Sequence, residues 1–328
     1  MMKVLVTGGA GYIGSHMLRA LQSQNHEAVC FDNLSTGHRD LVDCDSFIEG
    51  DLADKSLLSD IFANNNFDAV IHFAGSSQVG ESIKKPDKYY RNNITNTQNL
   101  LDAMIQSNVK KIVFSSTAAI FGNPQYIPIN EDHSCNPINP YGKSKLMIEH
   151  MLADYDKAYD LKFVALRYFN AAGADSSGLI GERHIPETHL IPLVLQAASG
   201  RKKEITIFGN DYNTNDGTCV RDYIHVSDLC DAHILSLDWL EKGGSSKRYN
   251  LGNGNGFSVN DVIRIAEKIT GNSIAVIKSS RRPGDPEILV ADSKLIKQDL
   301  GWKPKYENLD GIIADAWNWE ILDNKRCL

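Results

Sequence analysis

Several functional classes are excluded by what this sequence lacks. No apolar run approaches the ~20 residues of a membrane-spanning helix, so no membrane partner is expected. Met1 to Val6, followed at once by Thr7-Gly8-Gly9, is too short for the apolar region of a secretory leader, and a cytoplasmic location is expected. Six cysteines (Cys30, Cys44, Cys135, Cys219, Cys230, Cys327) form no C-x-x-C pair, and none has a histidine at zinc-finger spacing. They read as free thiols in a reducing compartment. Ten histidines include no H-E-x-x-H. A metal site would have to be assembled from remote positions, and no metal is expected. With 34 Lys and Arg against 41 Asp and Glu, the net charge of -7 provides no broad basic field for a phosphate backbone, so nucleic acid is not an expected partner. No internal repeat is present, and the one low-complexity stretch, Asn210 to Gly217, reads as an exposed loop.

What is present is ordinary globular composition: 328 residues, 42% hydrophobic and 23% charged, enough for one large domain or two smaller ones. Short apolar runs at Lys3 to Thr7, Glu27 to Asp32, Ser46 to Glu49, Ala69 to Ala74, Lys111 to Ser115 and Phe163 to Tyr168 read as strands. Between them, Asp54 to Asn64, Tyr89 to Gln106 and Tyr141 to Tyr159 place apolar residues three and four apart, as crossover helices do. This rhythm predicts an α/β fold with a parallel sheet covered on both faces. After Asn170 the texture changes. Ala171 to Thr188 is rich in Gly, Ser and charge, and the later helices Val259 to Thr270 and Leu309 to Asp323 are separated by long loops. The expected organisation is a first domain over 1–170 and a smaller, mixed α/β substrate-binding domain over 171–328, with room for later segments to return to the first.

Directly after the first strand comes Gly8-Gly9-Ala10-Gly11-Tyr12-Ile13-Gly14. Gly8, Gly11 and Gly14 allow a tight turn that brings backbone N–H groups to a pyrophosphate at a helix N-terminus. Asp32 ends the next strand, where a carboxylate accepts from both ribose hydroxyls and repels a 2'-phosphate, and neighbouring Asn33 supplies no cation to offset it. These residues predict a doubly wound, Rossmann-type sheet with bound NAD rather than NADP. The competing reading of Asp32 is a cap on the following turn, a role open also to Asn33 and Ser35. Gly50-Asp51-Leu52 and Phe73-Ala74-Gly75 close two further strands at the carboxyl edge, where ligands bind in such sheets. Asp51 is placed to reach the adenine amine, and Phe73 to Gly75 to line the cofactor channel.

Asn139-Pro140-Tyr141-Gly142-Lys143-Ser144-Lys145 reads as a helix start, with Asn139 as N-cap and Pro140 in the first turn. Tyr141 and Lys145 then share one face. An ammonium beside the phenol, with a positive nicotinamide ring, stabilises the phenolate and makes Tyr141 a base. The bland alternative is two residues on a solvated helix. Phe114-Ser115-Ser116-Thr117 brings hydroxyls to the same sheet edge, where one can bond the reacting oxygen.

With these motifs, together with Val79-Gly80-Glu81-Ser82, Arg167-Tyr168-Phe169-Asn170 and Val220-Arg221-Asp222-Tyr223-Ile224-His225-Val226, the chain resembles the extended short-chain dehydrogenase/reductase family over nearly its whole length. Within that family it is similar to the sugar-nucleotide 4-epimerases. The resemblance implies a tightly held NAD, reduced and reoxidised within one turnover, and a UDP-sugar substrate. It implies that Tyr141 takes the proton of the sugar 4-hydroxyl, that Thr117 holds the same oxygen, and that Lys145 tunes Tyr141. Asn92, Ser115, Tyr168 and Phe169 fall near the cofactor. Asn170, Leu190, Arg221 and Arg282 fall to the substrate diphosphate, Asp285 to its ribose, and Phe208 beside the uracil. Leu289 stands where relatives carry tyrosine or something smaller, which implies room for an N-acetyl group at C2; simple packing in the second domain is the alternative. A homodimer through Tyr89 to Gln106 and Tyr141 to Tyr159 is also implied. Three positions depart from the family pattern: Ser77 replaces a cofactor-binding lysine, His189 an asparagine, and Thr117 a serine. Rival readings are a dehydratase or decarboxylase, although Ala118-Ala119 stand where a dehydratase needs two acids, and a non-catalytic NAD sensor.

Overall fold

The computed structural model describes residues 1–44, 46–282 and 285–326; Pro283 and Gly284, which join Arg282 to Asp285 in the sequence, and Cys327 lie outside the described residues. Among the described residues thirteen strands run in order: β1 Lys3–Thr7, β2 Glu27–Asp32, β3 Ser46–Glu49, β4 Ala69–His72, β5 Lys111–Thr117, β6 Lys162–Tyr168, β7 Asn170–Ala172, β8 Ile205–Phe208, β9 Val220–His225, β10 Lys247–Leu251, β11 Gly256–Ser258, β12 Val276–Ser279 and β13 Ile288–Leu289. The helices are α1 Tyr12–Ser23, α2 Lys55–Asn64, α3 Val79–Lys84, α4 Pro86–Tyr89, α5 Asn96–Gln106, α6 Pro140–Tyr159, α7 Leu190–Ala198, α8 Val226–Glu241, α9 Val259–Thr270, α10 Lys294–Leu300 and α11 Leu309–Arg326.

Seven strands form one parallel sheet in the order β10-β6-β5-β4-β1-β2-β3. Both faces are buried because successive side chains point to opposite sides. Val4 and Val6 join one core with α1 and α8, through Met17, Leu18, Leu229 and Leu237. Leu5 joins the other with α2, α5 and α6, through Leu58, Leu101 and Leu152. The strand order reverses between β1 and its neighbours β2 and β4, and this is where open sheets bind ligands. The later part is smaller and mixed. Strands β7, β9, β11 and β13 form one sheet, β8 and β12 pair in parallel, and α7, α9 and α11 pack around a third core of Val194, Val262, Ile312 and Ile313. Residues 226–251, however, return to the first sheet as α8 and the edge strand β10.

One expected element differs. The helix read over Tyr89 to Gln106 is interrupted by a π-helical stretch, Tyr90–Thr95, between α4 and α5. Such wide turns concentrate at functional sites, and this one carries Asn92 and Asn93.

Candidate active site

Backbone contacts build the nucleotide end. Gly8 has a positive φ of 75°, and a Cβ there would sit 2.5 Å from the Ala74 amide nitrogen; a Cβ on Gly14 would sit 2.1 Å from the Gly8 carbonyl oxygen. No other residue fits either close approach. Helix α1 begins at Tyr12 with Gly11 as N-cap and no capping side chain, so its first-turn N–H groups face the turn without a side-chain acceptor. That is a fit for a pyrophosphate, and the site accepts NAD on the chemistry of its donors.

Asp32 takes the capping role weighed against ribose binding in the sequence, and makes one further bond. Its Oδ1 accepts from the Leu34 N–H at 2.8 Å, capping the turn, and its Oδ2 from the Ala10 N–H at 2.9 Å, tying that turn to the glycine loop. Burial raises its pKa, against these two bonds. Asn33 donates to Asp51 Oδ2 at 2.7 Å, Asp51 Oδ1 accepts from the Ala53 N–H, and the buried Leu52 accepts at its carbonyl from Asn99. Phe73 and Ala74 both donate their N–H to the Thr7 carbonyl, which bends the chain away at the end of β4. Asn92 donates to Ser76 Oγ at 3.0 Å. Ser77, the departure from the lysine, is exposed.

At the ends of β5 and α6 the reaction residues converge. Asn139 caps α6 by accepting from the Gly142 N–H at 2.8 Å, with Pro140 in the first turn, as its sequence requires. Tyr141 lies against Thr117: burial raises the phenol pKa, and the hydrogen bond with the Thr117 hydroxyl draws it back down. Lys145 is buried and donates to the Ser115 carbonyl at 2.8 Å, with its ammonium 4.8 Å above the Phe114 ring. Burial lowers its pKa to about 7. The expected tuning of Tyr141 by Lys145 is therefore corrected for the protein alone: the ammonium is engaged by a carbonyl, and burial dominates the phenol. Ser115 Oγ and the Tyr168 hydroxyl are hydrogen-bonded to each other.

Two groups missed in the sequence support this arrangement. Asn93, buried, accepts from the Ser76 N–H at 2.8 Å and donates to Ser144 Oγ at 2.9 Å, linking the π-helical stretch to α6. Glu149 lies two turns beyond Tyr141 and is buried. It accepts from Ser116 Oγ at 2.6 Å, from Arg167 at 3.0 and 2.7 Å, and from Arg248 at 3.0 Å. A carboxylate on the core face of α6, eight residues from Tyr141, is the signal that could have found it.

On the later sheet, Arg221 and Asp285 are paired with each other, and Arg221 also donates to the Val220 carbonyl at 2.8 Å. The Arg282 guanidinium lies 3.9 Å over the Phe208 ring. Asn170 stands on β7 opposite Tyr223, and Leu190 opens α7. Leu289 on β13 packs against the cluster of Ala118, Ile120, Phe121 and Ile129, directly beyond Thr117. Leu289 thus brings the later sheet against the segment that follows Thr117.

The expectation that metal ligands would have to come from remote positions is corrected. Glu182, His184, Glu187 and His189, spaced E-x-H-x-x-E-x-H, bring four ligand atoms within 4.8 Å of one another. Burial works against charge on both imidazoles, but the two carboxylates outweigh it and raise His184 to about 9 and His189 well above its ordinary value.

Comparison with known proteins agrees with this geometry. The NAD dependent epimerase/dehydratase family matches residues 4–252. A UDP-glucose 4-epimerase of Halalkalibacterium halodurans is 51% identical over 97% of this chain and 95% of its own length. The crystal structure of UDP-glucose 4-epimerase from Brucella ovis in complex with NAD superposes with a TM-score of 0.94 at 48% identity, covering 97% of this chain and 99% of that one. The UDP-Glc/GlcNAc 4-epimerase of Campylobacter jejuni superposes with a TM-score of 0.86 at 43% identity, covering 98% and 100%.

Proposed function

The chain belongs to the NAD dependent epimerase/dehydratase family, and from that premise we propose that it interconverts UDP-glucose and UDP-galactose by transient oxidation at C4 of the sugar. The observation that carries the reading is the convergence of Thr117, Tyr141 and Lys145 beside the uncapped N-terminus of α1. The cofactor is NAD, which supplies a hydride acceptor that becomes the donor in the return step. Thr117 and Tyr141 hold the 4-hydroxyl between two hydroxyl groups, and Tyr141 takes its proton as general base. Lys145, fixed by the Ser115 carbonyl and one helical turn from Tyr141 on α6, is assigned to bond the cofactor ribose. Arg221 and Arg282 clamp the diphosphate while the 4-keto sugar turns over, and Tyr141 returns the proton when the opposite face is reduced. No net redox results.

Elimination would require acids beside Thr117. The wall there is Ala118, Ile120 and Phe121, which disfavours the dehydratase reading. Residues 1–170 with the returning 226–251 serve NAD, and the later sheets serve the nucleotide sugar. Location in the cytoplasm and pairing of two chains belong to the same proposal. The test is to mix the purified protein with UDP-galactose, without added cofactor. Appearance of UDP-glucose is expected; failure of protein containing stoichiometric NAD to form it rejects the reading.

The position of Leu289 supports a second activity. Its side chain is shorter than tyrosine and packs against the cluster of Ala118, Ile120, Phe121 and Ile129, and the smaller bulk is what an N-acetyl group at C2 would use. The activity named for the Campylobacter jejuni protein supports the same extension.

A further inference from the structure

We propose that Glu182, His184, Glu187 and His189 form a closed, four-ligand site for a divalent transition metal ion of the zinc class. The separations suit one ion. His184 Nδ1 lies 3.2 Å from Glu182 Oε1 and 3.5 Å from Glu187 Oε2, and His189 Nδ1 lies 2.8 Å from Glu182 Oε1 and 3.0 Å from Glu187 Oε1. A tetrahedral zinc with bonds of ~2.0–2.2 Å sets neighbouring ligand atoms ~3.3–3.6 Å apart. With one atom from each residue the four lie within 4.8 Å of one another, so closure by up to about an ångström converts the cluster into a coordination shell. Each imidazolium gives up its Nδ1 proton to solvent when the ion binds, and the two carboxylates and two neutral imidazoles that result carry a charge that a divalent ion cancels. The mixed nitrogen and oxygen set favours zinc over magnesium or calcium, which take oxygen ligands.

The backbone around these ligands is fixed by bonds that none of the four must release. Trp319 donates its indole N–H to the Glu182 carbonyl at 2.9 Å, and His38 Nε2 lies 3.2 Å from the Arg183 carbonyl. Arg183 is clamped between Asp40 and Asp323. Glu187 Oε1 accepts from the N–H groups of Thr188 at 2.7 Å and His189 at 2.8 Å, the outer bonding that orients a ligating carboxylate. Four protein ligands leave no open position, so the ion would staple the segment leading into α7 and take no part in catalysis.

Zinc binding is measured on the NAD-containing protein after EDTA treatment and dialysis, independently of turnover. Calorimetric titration with zinc chloride should give one ion per chain, with no comparable binding of magnesium. His184→Gln and Glu187→Gln should each weaken binding at least about tenfold, the minimum seen when even an outer partner of a ligand is removed. Zinc absorption-edge spectra of the unaltered protein need no variant, and should show four nitrogen and oxygen neighbours including two imidazoles. Absence of stoichiometric zinc would mean that imidazolium–carboxylate pairs alone hold the cluster. Sulfur ligation, or full affinity in both folded variants, would place the ion elsewhere. Each of these results overturns the proposal.

Discussion

At Tyr141 burial and reaction make opposite demands: burial keeps the phenol protonated, whereas the proposed chemistry needs it to accept a proton. Tyr141→Phe is expected to keep the fold and bound NAD while lowering turnover ~100-fold or more, the usual worth of a general base. A rate above a tenth of the parent's in a direct epimerisation assay would contradict the role. Leu289→Tyr should abolish N-acetylhexosamine turnover while sparing the unsubstituted pair, as compared in parallel assays; an unaltered protein with no N-acetyl activity removes the basis of that proposal. His72 gives a pH effect. Buried between Thr7 and Thr97, it is held neutral by burial, with a pKa of about 3. The unfolded chain protonates near 6.5, so this contribution to stability is complete above that pH and is lost as pH falls toward 3. The destabilisation caused by His72→Asn should therefore be about 2 kcal/mol smaller at pH 5 than at pH 7. Equal values from urea unfolding at the two pH values would refute the shift. The placement of Thr117 and Tyr141 against each other, with Lys145 beside Ser115, was legible because it depends on spacing along one strand and one helix. Asn93 was not, since its partners Ser76 and Ser144 lie on separate segments.

Among elements, the strands were legible wherever apolar runs are buried on both faces, as in β1, β2 and β5. Strand β10, reading Lys-Arg-Tyr-Asn-Leu at the sheet edge, has too little apolar character for that criterion. The π-helical stretch Tyr90–Thr95 was hidden for another reason: one extra residue per turn barely disturbs a three- and four-residue pattern. Helix α6 is joined to β5, β6 and β10 through Glu149, which meets Ser116, Arg167 and Arg248. Glu149→Leu leaves Arg167 buried without its counter-charge, and a loss of about 3–5 kcal/mol is expected in denaturant unfolding. A loss under about 1 kcal/mol would mean that water or another acid compensates the arginine.

Across the whole molecule, the surface beside α6 supports the proposed pairing. Ile83 on α3 is 57% exposed and Met147 on α6 is 49% exposed, with Val79 and Tyr90 also uncovered nearby. Apolar side chains grouped in this way mark contact surfaces. Sedimentation should give twice the chain mass, and Met147→Glu should shift the distribution toward single chains; a parent protein that sediments as one chain at micromolar concentration excludes the pairing. The composition change after Asn170 reads as the start of a second unit, but composition cannot register that α8 and β10 cross back to the first sheet. That return gives the order of synthesis a consequence. On a ribosome, β6 emerges with one edge bare and stays so until Leu251 has followed, a wait of several seconds at ~5–20 residues per second. The seven-stranded sheet therefore cannot close until much of the later part of the chain has been made, and nascent chains stalled between Tyr168 and Lys247 should present β6 as an edge open to chaperones.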